Sequence, residues 1–303
     1  MSPLTGPENV VSLFEHLIRR NRILSYLEED LGSGDITSEI VIPSDFHAEA
    51  EVWCKGTSES VVICGMEEAC IALEICGCHT SKLVEDGAIV TGNQQVIAVK
   101  GNARAILKAE RTALNLLMRM SGIATESRKY NVLLTKLGVN TLVTATRKTS
   151  PGMRIFDKKA IAIGGGHPHR MGLYDKILIK DNHIAIVGNA RDCVIKARKQ
   201  VGLNREIECE VRTEDELISV VLAGADIVML DNFSVDDAKA AMSKLNDLDL
   251  RNRVLVEISG GINESNFQNF ARLNPDFISV GSITHSSRAV DFSMTVKSFN
   301  GWA

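Results

Sequence analysis

The segment spanning residues 146–183 concentrates side chains that bind anions. Its lysines and arginines number eight against three aspartates, a surplus of five positive charges in a 303-residue chain whose formal net charge is −4. Three of the seven histidines, His167, His169 and His183, lie in the same segment. Because guanidinium and ammonium groups pair with carboxylates and phosphates, the segment predicts a binding site for a strongly anionic ligand.

The elements that position these side chains are predicted from the spacing of apolar residues. Short apolar segments predict strands over 142–143, 177–179, 207–211, 227–230, 254–258 and 277–280. Amphipathic segments between them predict helices over 190–199, 214–223, 235–245 and 264–273. Repeated strand and helix units indicate a parallel sheet, either closed as a barrel or doubly wound.

Every predicted strand is followed by polar residues or glycines. In chain order these are Arg147-Lys148, Lys180, Glu210, Asp231, Ser259-Gly260-Gly261 and Gly281-Ser282. A barrel with one catalytic mouth requires such residues at the carboxyl end of each strand. A doubly wound sheet would carry its ligand signature in one glycine-rich turn after the first strand, and none stands there. The pattern favours the barrel.

Two acids and two glycine segments extend the expected chemistry beyond anion binding. Glu210 and Asp231 end neighbouring predicted strands, and Mg²⁺ commonly binds through one or two carboxylates plus substrate phosphates. Gly260-Gly261 and Gly281 follow the last two strands, where backbone N–H groups can reach phosphate oxygens. We therefore expect a phosphorylated, metal-bound substrate beside a second anion. Asp231 has an alternative role as a cap of the following helix.

Three acids of one predicted strand need partners of opposite charge. Glu206, Glu208 and Glu210 alternate with apolar residues and so share one face of that strand. In a closed barrel one face of a strand is the interior, where carboxylates are costly unless cations or a metal partner them.

The first ~115 residues predict a mixed α+β layer. A helix is predicted over 4–29, a strand with one wet face over 47–54 and a helix over 67–75. Between Ala103 and Leu137 the pattern predicts two joined helices with a break at Ser121-Gly122.

Composition excludes several classes of protein. No apolar run approaches the ~20 residues that span a bilayer, and the N-terminus lacks the pattern of a secretion signal, so we expect a cytoplasmic protein. No continuous basic face indicates nucleic-acid binding. The seven cysteines are expected to be mostly reduced and buried. Cys76-Gly77-Cys78-His79 is a weak metal candidate, because no second ligand pair follows at zinc-site spacing, and a packed helix end is the favoured reading.

Many short motifs closely resemble those of the quinolinate phosphoribosyltransferases, also called carboxylating nicotinate-nucleotide pyrophosphorylases. The resemblance covers nearly the whole chain. The motifs are Gly34-Asp35-Ile36-Thr37-Ser38, Glu110–Asn115, Ser121–Thr125, Thr146–Gly152, Gly164–Gly166, His169–Leu173, Ile179–His183, Glu208–Val211, Leu230–Asn232, Ser259–Ile262 and Thr284–Ser286.

The resemblance implies an α/β fold, an incomplete TIM-like barrel of about seven strands with an N-terminal α+β sandwich domain. The sandwich would occupy residues 1–115, joined by the C-terminal tail 287–303, and the barrel residues 116–286. The resemblance also implies a homodimer, with higher oligomers left open, in which Arg111 reaches the neighbouring subunit's site.

The implied reaction belongs to NAD biosynthesis. Quinolinate and phosphoribosyl pyrophosphate give nicotinate mononucleotide, pyrophosphate and CO₂, with Mg²⁺ as cofactor. The implied quinolinate-binding residues are Arg147, His169, Arg170 and Lys180, with Lys148 nearby. Phosphoribosyl pyrophosphate would lie on Lys148, Lys180, Glu210, Asp231, Ser259, Gly260, Gly261 and Gly281. The expected catalytic residues are Lys148, Glu210 and Asp231, and Glu210 and Asp231 are also the expected metal ligands. The remaining cations of the segment, Arg154, Lys158, Lys159 and Lys176, are expected to be exposed to solvent.

Four other interpretations stay open at this point. A homologue of the molybdenum-operon type would act on a different anionic substrate, although the intact run from Lys180 to His183 favours the NAD-pathway enzyme. A Schiff-base enzyme would use Lys180 alone, which leaves the other cations unexplained. A zinc hydrolase would use His167, His169 and His183, but Pro168 makes a regular strand there improbable. A non-catalytic module that binds a phosphosugar is the fourth.

Overall fold

The computed structural model describes residues 7–55 and 59–298. The chain divides into two compact units, of which the first contains Met1–Thr125, Ile155–Gly164 and Ser287–Ala303. The second unit contains Glu126–Arg154 and Gly165–Ser286. The predicted split at residue 115 differs from this division in two respects. The boundary falls at Thr125, and Ile155–Gly164 belongs to the first unit because its Asp157 and Lys159 pair with acids and bases there.

Eleven helices and twelve strands are found in the described residues. The helices are α1 Pro7–Leu31, α2 Ile36–Val41, α3 Met66–Ile75, α4 Ala103–Leu137, α5 Arg154–Ile163, α6 Asp181–Val187, α7 Ala190–Val201, α8 Glu214–Leu222, α9 Val235–Asp247, α10 Phe267–Ala271 and α11 Ser282–His285. The strands are β1 His47–Cys54, β2 Val61–Val62, β3 His79–Lys82, β4 Ile89–Val90, β5 Gln94–Asn102, β6 Leu142–Thr144, β7 Ile177–Ile179, β8 Ile207–Val211, β9 Ile227–Asp231, β10 Leu255–Ser259, β11 Phe277–Ser279 and β12 Phe292–Ser298.

The first unit is built on an antiparallel sheet with the strand order β12-β1-β5-β3. Along β1 the side chains of Ala48, Ala50, Val52 and Cys54 are buried, while their neighbours are more exposed. The predicted strand with one wet face is therefore confirmed. The predicted helix over 4–29 is confirmed from Pro7 onward, and its first residues lie outside the described part of the chain.

The predicted break at Ser121-Gly122 is wrong, because α4 runs without interruption from Ala103 to Leu137. Gly122 is required by packing: a Cβ atom on it would lie 2.2 Å from the Arg288 carbonyl oxygen. The Ser121 hydroxyl donates to the Cys64 carbonyl oxygen at 3.0 Å and accepts from the Cys64 N–H at 3.0 Å. Both residues therefore serve contacts within the first unit rather than the end of a helix.

The second unit is built on a parallel six-stranded sheet with the order β6-β11-β10-β9-β8-β7. One further parallel bridge joins Thr144 to His167 beyond the β6 edge. The predicted barrel of about seven strands is thus six strands and a single bridge in the described residues. The helices α7, α8 and α9 follow β7, β8 and β9 as predicted, and β8 has the predicted bounds. The predicted α/β fold class is confirmed.

All seven cysteines are free, and six of them are buried. Cys76 caps the end of α3, and Gly77 takes the left-handed φ of 91° that such a helix end favours. Among the described helices, none is both long enough and apolar enough to cross a membrane.

Candidate active site

One pocket of about 460 Å³ in the second unit collects residues from the carboxyl ends of the barrel strands. The predicted site residues that line it are Arg147, Lys148, His169, Arg170, Lys180, Glu210, Asp231, Ser259, Gly260 and Gly261. Gly281 stands beside it, since a Cβ atom on Gly281 would lie 3.5 Å from Cδ of Lys148. Arg111 is an exposed residue of α4 in the first unit, and its role in a neighbouring subunit stays a prediction.

Two arginines form the desolvated cationic side of the pocket. Arg170 is only 6% exposed. Burial lowers the pKa of its guanidinium, and the positive charge of Arg147 lowers it further. Nε of Arg147 is buried and has no hydrogen-bond partner among the described residues. Buried donors without partners are costly, so an anion that accepts from both arginines is strongly favoured here.

Asp175 folds the loop that carries His169 and Arg170. Its carboxylate accepts from the Met171 N–H at 2.5 Å and from the Gly172 N–H at 3.2 Å. Burial raises the pKa of Asp175, but these backbone hydrogen bonds outweigh it, so the pKa lies below its usual value. Arg154 donates to the Met171 carbonyl oxygen at 3.0 Å from the other side. The sequence interpretation missed this role of Asp175, although an acid shortly after a glycine is a turn signal.

His169 occupies an unusual backbone conformation, with φ at 53°. Its N–H donates to Nδ1 of His167 at 3.1 Å, which holds the bend. Nε2 of His169 lies 3.3 Å from Oε2 of Glu208 and 3.3 Å from Oε2 of Glu257. Burial lowers the pKa of the imidazole, but the two carboxylates outweigh it and raise the pKa to about 9. Glu257 had no predicted role.

Lys180 and Glu210 form an ion pair in the lining of the pocket. Nζ of Lys180 contacts Oε1 of Glu210, and the Asp181 N–H donates to Oε2 at 3.3 Å. Asp181 in turn pairs with Arg212 at 2.9 Å. A Schiff-base lysine must react as a neutral amine, so this ion pair disfavours the aldolase interpretation.

Asn232 and Gly260 bring two strand ends into close contact beside Asp231. The Asn232 N–H donates to the Ser259 carbonyl oxygen at 2.9 Å, and its side-chain amide donates to Oδ2 of Asp231 at 2.8 Å. Gly260 has a φ of 90°, and a Cβ atom on it would lie 2.3 Å from Oδ1 of Asn232. Only glycine fits at this position, which leaves the backbone of Gly260 accessible to a ligand.

Three acids, Glu206, Glu208 and Glu210, were predicted to share one face of β8, and two of them do. Glu208 and Glu210 are 1% and 7% exposed and point into the barrel. Glu206 precedes β8, is exposed, and pairs with Lys176 at 2.5 Å.

Four cations of the segment 146–183 lie outside the pocket, and the prediction that solvent surrounds them is wrong. Lys158 is buried, and Lys159 pairs with Glu68 at 2.9 Å. Arg154 and Lys176 are half-buried in the contacts described above.

The three histidines of the zinc-hydrolase alternative do not converge in the described residues. His167 and His183 each accept a backbone N–H through Nδ1, from His169 and Lys180 respectively. His169 instead groups with Glu208 and Glu257, whose ligand atoms lie within 4.8 Å of one another.

A parallel α/β barrel with desolvated arginines, paired acids and glycines at one mouth defines an enzyme of anionic, phosphorylated substrates. Family models for the C-terminal and N-terminal domains of quinolinate phosphoribosyl transferase match residues 123–295 and 35–121. The chain belongs to the quinolinate phosphoribosyltransferase family. This confirms the resemblance seen in the sequence.

Individual relatives agree with the family models. The chain is 39% identical to a probable nicotinate-nucleotide pyrophosphorylase [carboxylating] of Methanocaldococcus jannaschii, over 89% of this chain and 94% of that protein. It is 33% identical to the rat nicotinate-nucleotide pyrophosphorylase [carboxylating], over 89% and 88%. The nicotinate-nucleotide pyrophosphorylase structure from Francisella tularensis superposes with a TM-score of 0.83 at 38% identity, covering 92% of this chain and 96% of that one.

Proposed function

We propose that the pocket transfers the phosphoribosyl group of phosphoribosyl pyrophosphate to quinolinate and releases pyrophosphate and CO₂, leaving nicotinate mononucleotide. The observation that carries the proposal is that residues from six separate strand ends meet in one pocket whose lining combines lysines and arginines with carboxylates. The substrates require this combination, because quinolinate is a dicarboxylate and phosphoribosyl pyrophosphate is a phosphorylated, metal-binding sugar.

Quinolinate binding is assigned to the side of the pocket formed by Arg147, His169 and Arg170. The buried guanidinium of Arg170, the half-buried guanidinium of Arg147 and an imidazolium offer planar and directional donors to two carboxylates. Lys180 and Lys148 line the same pocket, and Lys180 contacts Glu210. They are placed to contact both the ring and the sugar phosphate.

Phosphoribosyl pyrophosphate is assigned to Lys148, Lys180, Glu210, Asp231 and the backbone from Ser259 to Gly261, with Gly281 alongside. Glycines at the end of such a barrel let backbone N–H groups approach phosphate oxygens. Glu210 and Asp231 line the same pocket, and their carboxylate oxygens fit the hard-donor preference of Mg²⁺. Bound Mg²⁺ would neutralise charge on the pyrophosphate oxygens.

The reaction proceeds as the ring nitrogen of quinolinate replaces pyrophosphate on the sugar. Positive charge develops on the ribose as pyrophosphate leaves, and Glu210 and Asp231 stabilise it electrostatically. The ring nitrogen becomes cationic once it is bonded to ribose. The cationic nitrogen stabilises the electron pair left on the adjacent carbon as the bond to the carboxylate breaks and CO₂ departs, and a proton from solvent then replaces CO₂ on that carbon while Arg147 and Arg170 hold the ring.

The direct test is a turnover assay. The protein is incubated with quinolinate, phosphoribosyl pyrophosphate and Mg²⁺, and nicotinate mononucleotide and CO₂ are quantified. Nicotinate replaces quinolinate in the control reaction. Failure to form the mononucleotide, or equal use of nicotinate, would refute the proposal.

Replacing Arg170 by Ala is expected to weaken quinolinate binding about 10- to 100-fold, the cost of one charge-assisted contact, with little change for phosphoribosyl pyrophosphate. Arg170→Lys should recover part of the loss, because it keeps the charge without the fork. Calorimetry with each ligand measures both effects. Arg253→Ala, at an exposed arginine outside the pocket, is the control. Equal losses for the two ligands would contradict the assignment of Arg170.

We further propose a homodimer in which Arg111 completes the neighbouring subunit's site, a role the family resemblance implies. Arg111 is exposed on α4, so its guanidinium is accessible to a second chain. If Arg111 and Glu210 of one site come from different subunits, mixed dimers of Arg111→Ala and Glu210→Gln chains contain one intact site.

The mixing experiment is expected to recover activity that neither variant has alone. Random exchange of equal amounts should restore about a quarter of the wild-type rate, since half the dimers are mixed and each has one intact site. Exchange is driven by mild denaturant, and turnover is measured after its removal. Activity no higher than the mean of the two variants would argue that both residues serve the same chain.

We also propose a cytoplasmic location. The free state of all seven cysteines supports it, because reducing compartments keep thiols unpaired.

A further inference from the structure

The barrel interior contains a buried polar cluster for which the proposed chemistry gives no role. Glu208 on β8 and Glu257 on β10 are each 1% exposed, and Oε2 of both lies 3.3 Å from Nε2 of His169. Both oxygens of Glu208 and Oε2 of Glu257 have no linear hydrogen bond among the described residues. One N–H therefore faces two equidistant carboxylate oxygens. Burying a carboxylate without such hydrogen bonds costs free energy, which indicates that these two acids serve a function.

We propose that Glu208 and Glu257 are positioning residues that hold His169 as an imidazolium and direct its second nitrogen, Nδ1, at a ring carboxylate of the substrate. This inference rests on the proposed function, and it assigns to the two acids a role that is exerted through His169.

The protonation state follows from the hydrogen-bonding capacity of imidazole. A neutral imidazole has one N–H, and the two carboxylates require it on Nε2. Nδ1 would then carry a lone pair and repel a substrate carboxylate. Only the imidazolium donates from both nitrogens, so a dicarboxylate site with His169 in it requires the second proton. The raised pKa of His169, about 9, agrees with this geometry.

A chain of hydroxyl groups fixes Glu257 in place. The Ser279 hydroxyl donates to Oε1 of Glu257 at 2.5 Å, and Oγ1 of Thr144 lies 2.7 Å from the Ser279 oxygen. All three residues are buried and stand on the adjacent strands β10, β11 and β6. The backbone of His169 adopts a left-handed conformation, which is uncommon outside glycine.

Some of the other charged groups around His169 favour its second proton, and others oppose it. Arg170 follows it in the chain and is attracted by Glu208. The cations Arg147, Lys148 and Lys180 line the same pocket and oppose the second proton, whereas the carboxylates of Glu210, Asp231 and Asp181 favour it. The two acids at 3.3 Å decide the balance where Glu208 is ionised. Burial and the charge of Glu257 raise the pKa of Glu208 to about 7, although His169 lowers it, and this value lies below that of about 9 for His169.

A metal ion is the competing use of this cluster, since its three ligand atoms lie within 4.8 Å of one another. Metal binding would require Nε2 without its proton. It would also place a dication near the buried guanidinium of Arg170, and Oε1 of Glu257 is already engaged by Ser279. The observations therefore favour the proton.

Histidine NMR titration of the full chain tests the inference, with the His169 signal identified by its loss in His169→Asn. The midpoint of the His169 titration in the wild-type chain is expected at a pH of about 9. Glu257→Gln should lower it by about one pH unit or more, because a neutral amide replaces a carboxylate. Glu257→Asp, which keeps the charge, should recover part of the change. The control is Glu206→Gln, whose exposed carboxyl lies outside the pocket.

Kinetics supply a second measurement that a purely structural role would not move. Glu257→Gln should raise KM for quinolinate about tenfold and leave KM for phosphoribosyl pyrophosphate nearly unchanged. A wild-type His169 midpoint near 6.5, no change in Glu257→Gln, or an equal rise of both KM values would overturn the inference. Stoichiometric zinc that Glu257→Gln abolishes would also overturn it.

The experiment remains decisive if Glu257→Gln does not fold, because the wild-type midpoint and Glu257→Asp are then read alone. Absence of turnover in the wild-type chain would refute the proposed function. The titration would still report whether the two acids hold the imidazolium, so the two failures are distinguishable.

Discussion

Replacing Glu210 by Gln is expected to lower kcat by about 10²- to 10³-fold, the effect typical of removing one preorganised electrostatic group. The substitution keeps the shape of the side chain and removes its negative charge. The charge matters most when pyrophosphate leaves and the ribose becomes cationic. A group that acts mainly in the transition state lowers kcat more than it raises KM.

A second consequence of Glu210→Gln reaches Lys180. The ammonium of Lys180 contacts Oε1 of Glu210, and an amide would compensate its charge poorly. Lys180 then has a stronger electrostatic attraction to the substrate anions. We therefore expect KM for quinolinate to stay unchanged or to fall in this variant.

Steady-state kinetics with both substrates varied measure these effects. Glu214→Gln on α8 is the matched control, because it removes an exposed carboxylate just beyond the same strand. A thermal melt verifies that both variants are folded. A loss of kcat below tenfold would show that Glu210 does not stabilise the developing charge.

The barrel could be predicted because its signal is local. Each strand is a short apolar segment, and a polar residue or glycine marks the end that faces the pocket. The bounds of β8 were predicted correctly for this reason. Helix α10 is shorter than its predicted range 264–273, because side chains of Asn263 and Asn266 bond to nearby backbone N–H groups and compete with the helix.

The cationic half of the site could also be predicted, because its residues cluster in one segment. The contacts of His169 with Glu208 and Glu257 could not be predicted. Glu257 lies far along the chain, in a strand whose inner and outer faces the sequence does not distinguish. Only the packing of β8 beside β9 and β10 places Glu208 and Glu257 around one imidazole.

The prediction for Lys159 in the first unit was wrong for a related reason. Lys159 was expected in solvent because charge alone recommended it, but three acids from elsewhere in that unit surround its ammonium. Nζ lies 2.9 Å from both oxygens of Glu68 and 3.0 Å from Oδ2 of Asp86. Glu67 lies at 3.4 Å. A segment's net charge does not reveal which cations have partners that are distant in sequence.

Replacing Lys159 by Met is expected to destabilise the protein by about 3 to 5 kcal/mol, since it leaves the buried carboxylate of Glu68 without its main cation. Glu68 is fully buried. Burial raises the pKa of its carboxyl even though Lys159 lowers it. Arg19 at 3.8 Å can replace part of the lost attraction, which favours the lower end of the range.

Urea unfolding measures the loss, and Lys100→Met is the control. Lys100 pairs with Glu49 at 2.6 Å on the exposed face of the same unit, where an ion pair contributes about 1 kcal/mol or less. A loss in Lys159→Met no larger than that in Lys100→Met would show that the buried network is not a source of stability.

The pH dependence of Lys159→Met follows from the direction of the Glu68 shift. An acid whose folded-state pKa lies above its usual value of 4.5 favours the folded state while protonated, and that contribution is lost as pH rises through the folded-state pKa. Without Lys159 the pKa of Glu68 rises further, so the variant should lose stability relative to wild type as pH rises above 4.5.

A double variant separates the unpaired charge from lost packing. Lys159→Met with Glu68→Gln removes both charges, and it is expected to recover at least about half of the lost stability because no buried charge remains without its main partner. Its stability relative to wild type should also no longer fall as pH rises above 4.5. If the double variant is as unstable as Lys159→Met at pH 8, the cost arises from the packing of the lysine stem. The charge on Glu68 would then be held mainly by Arg19.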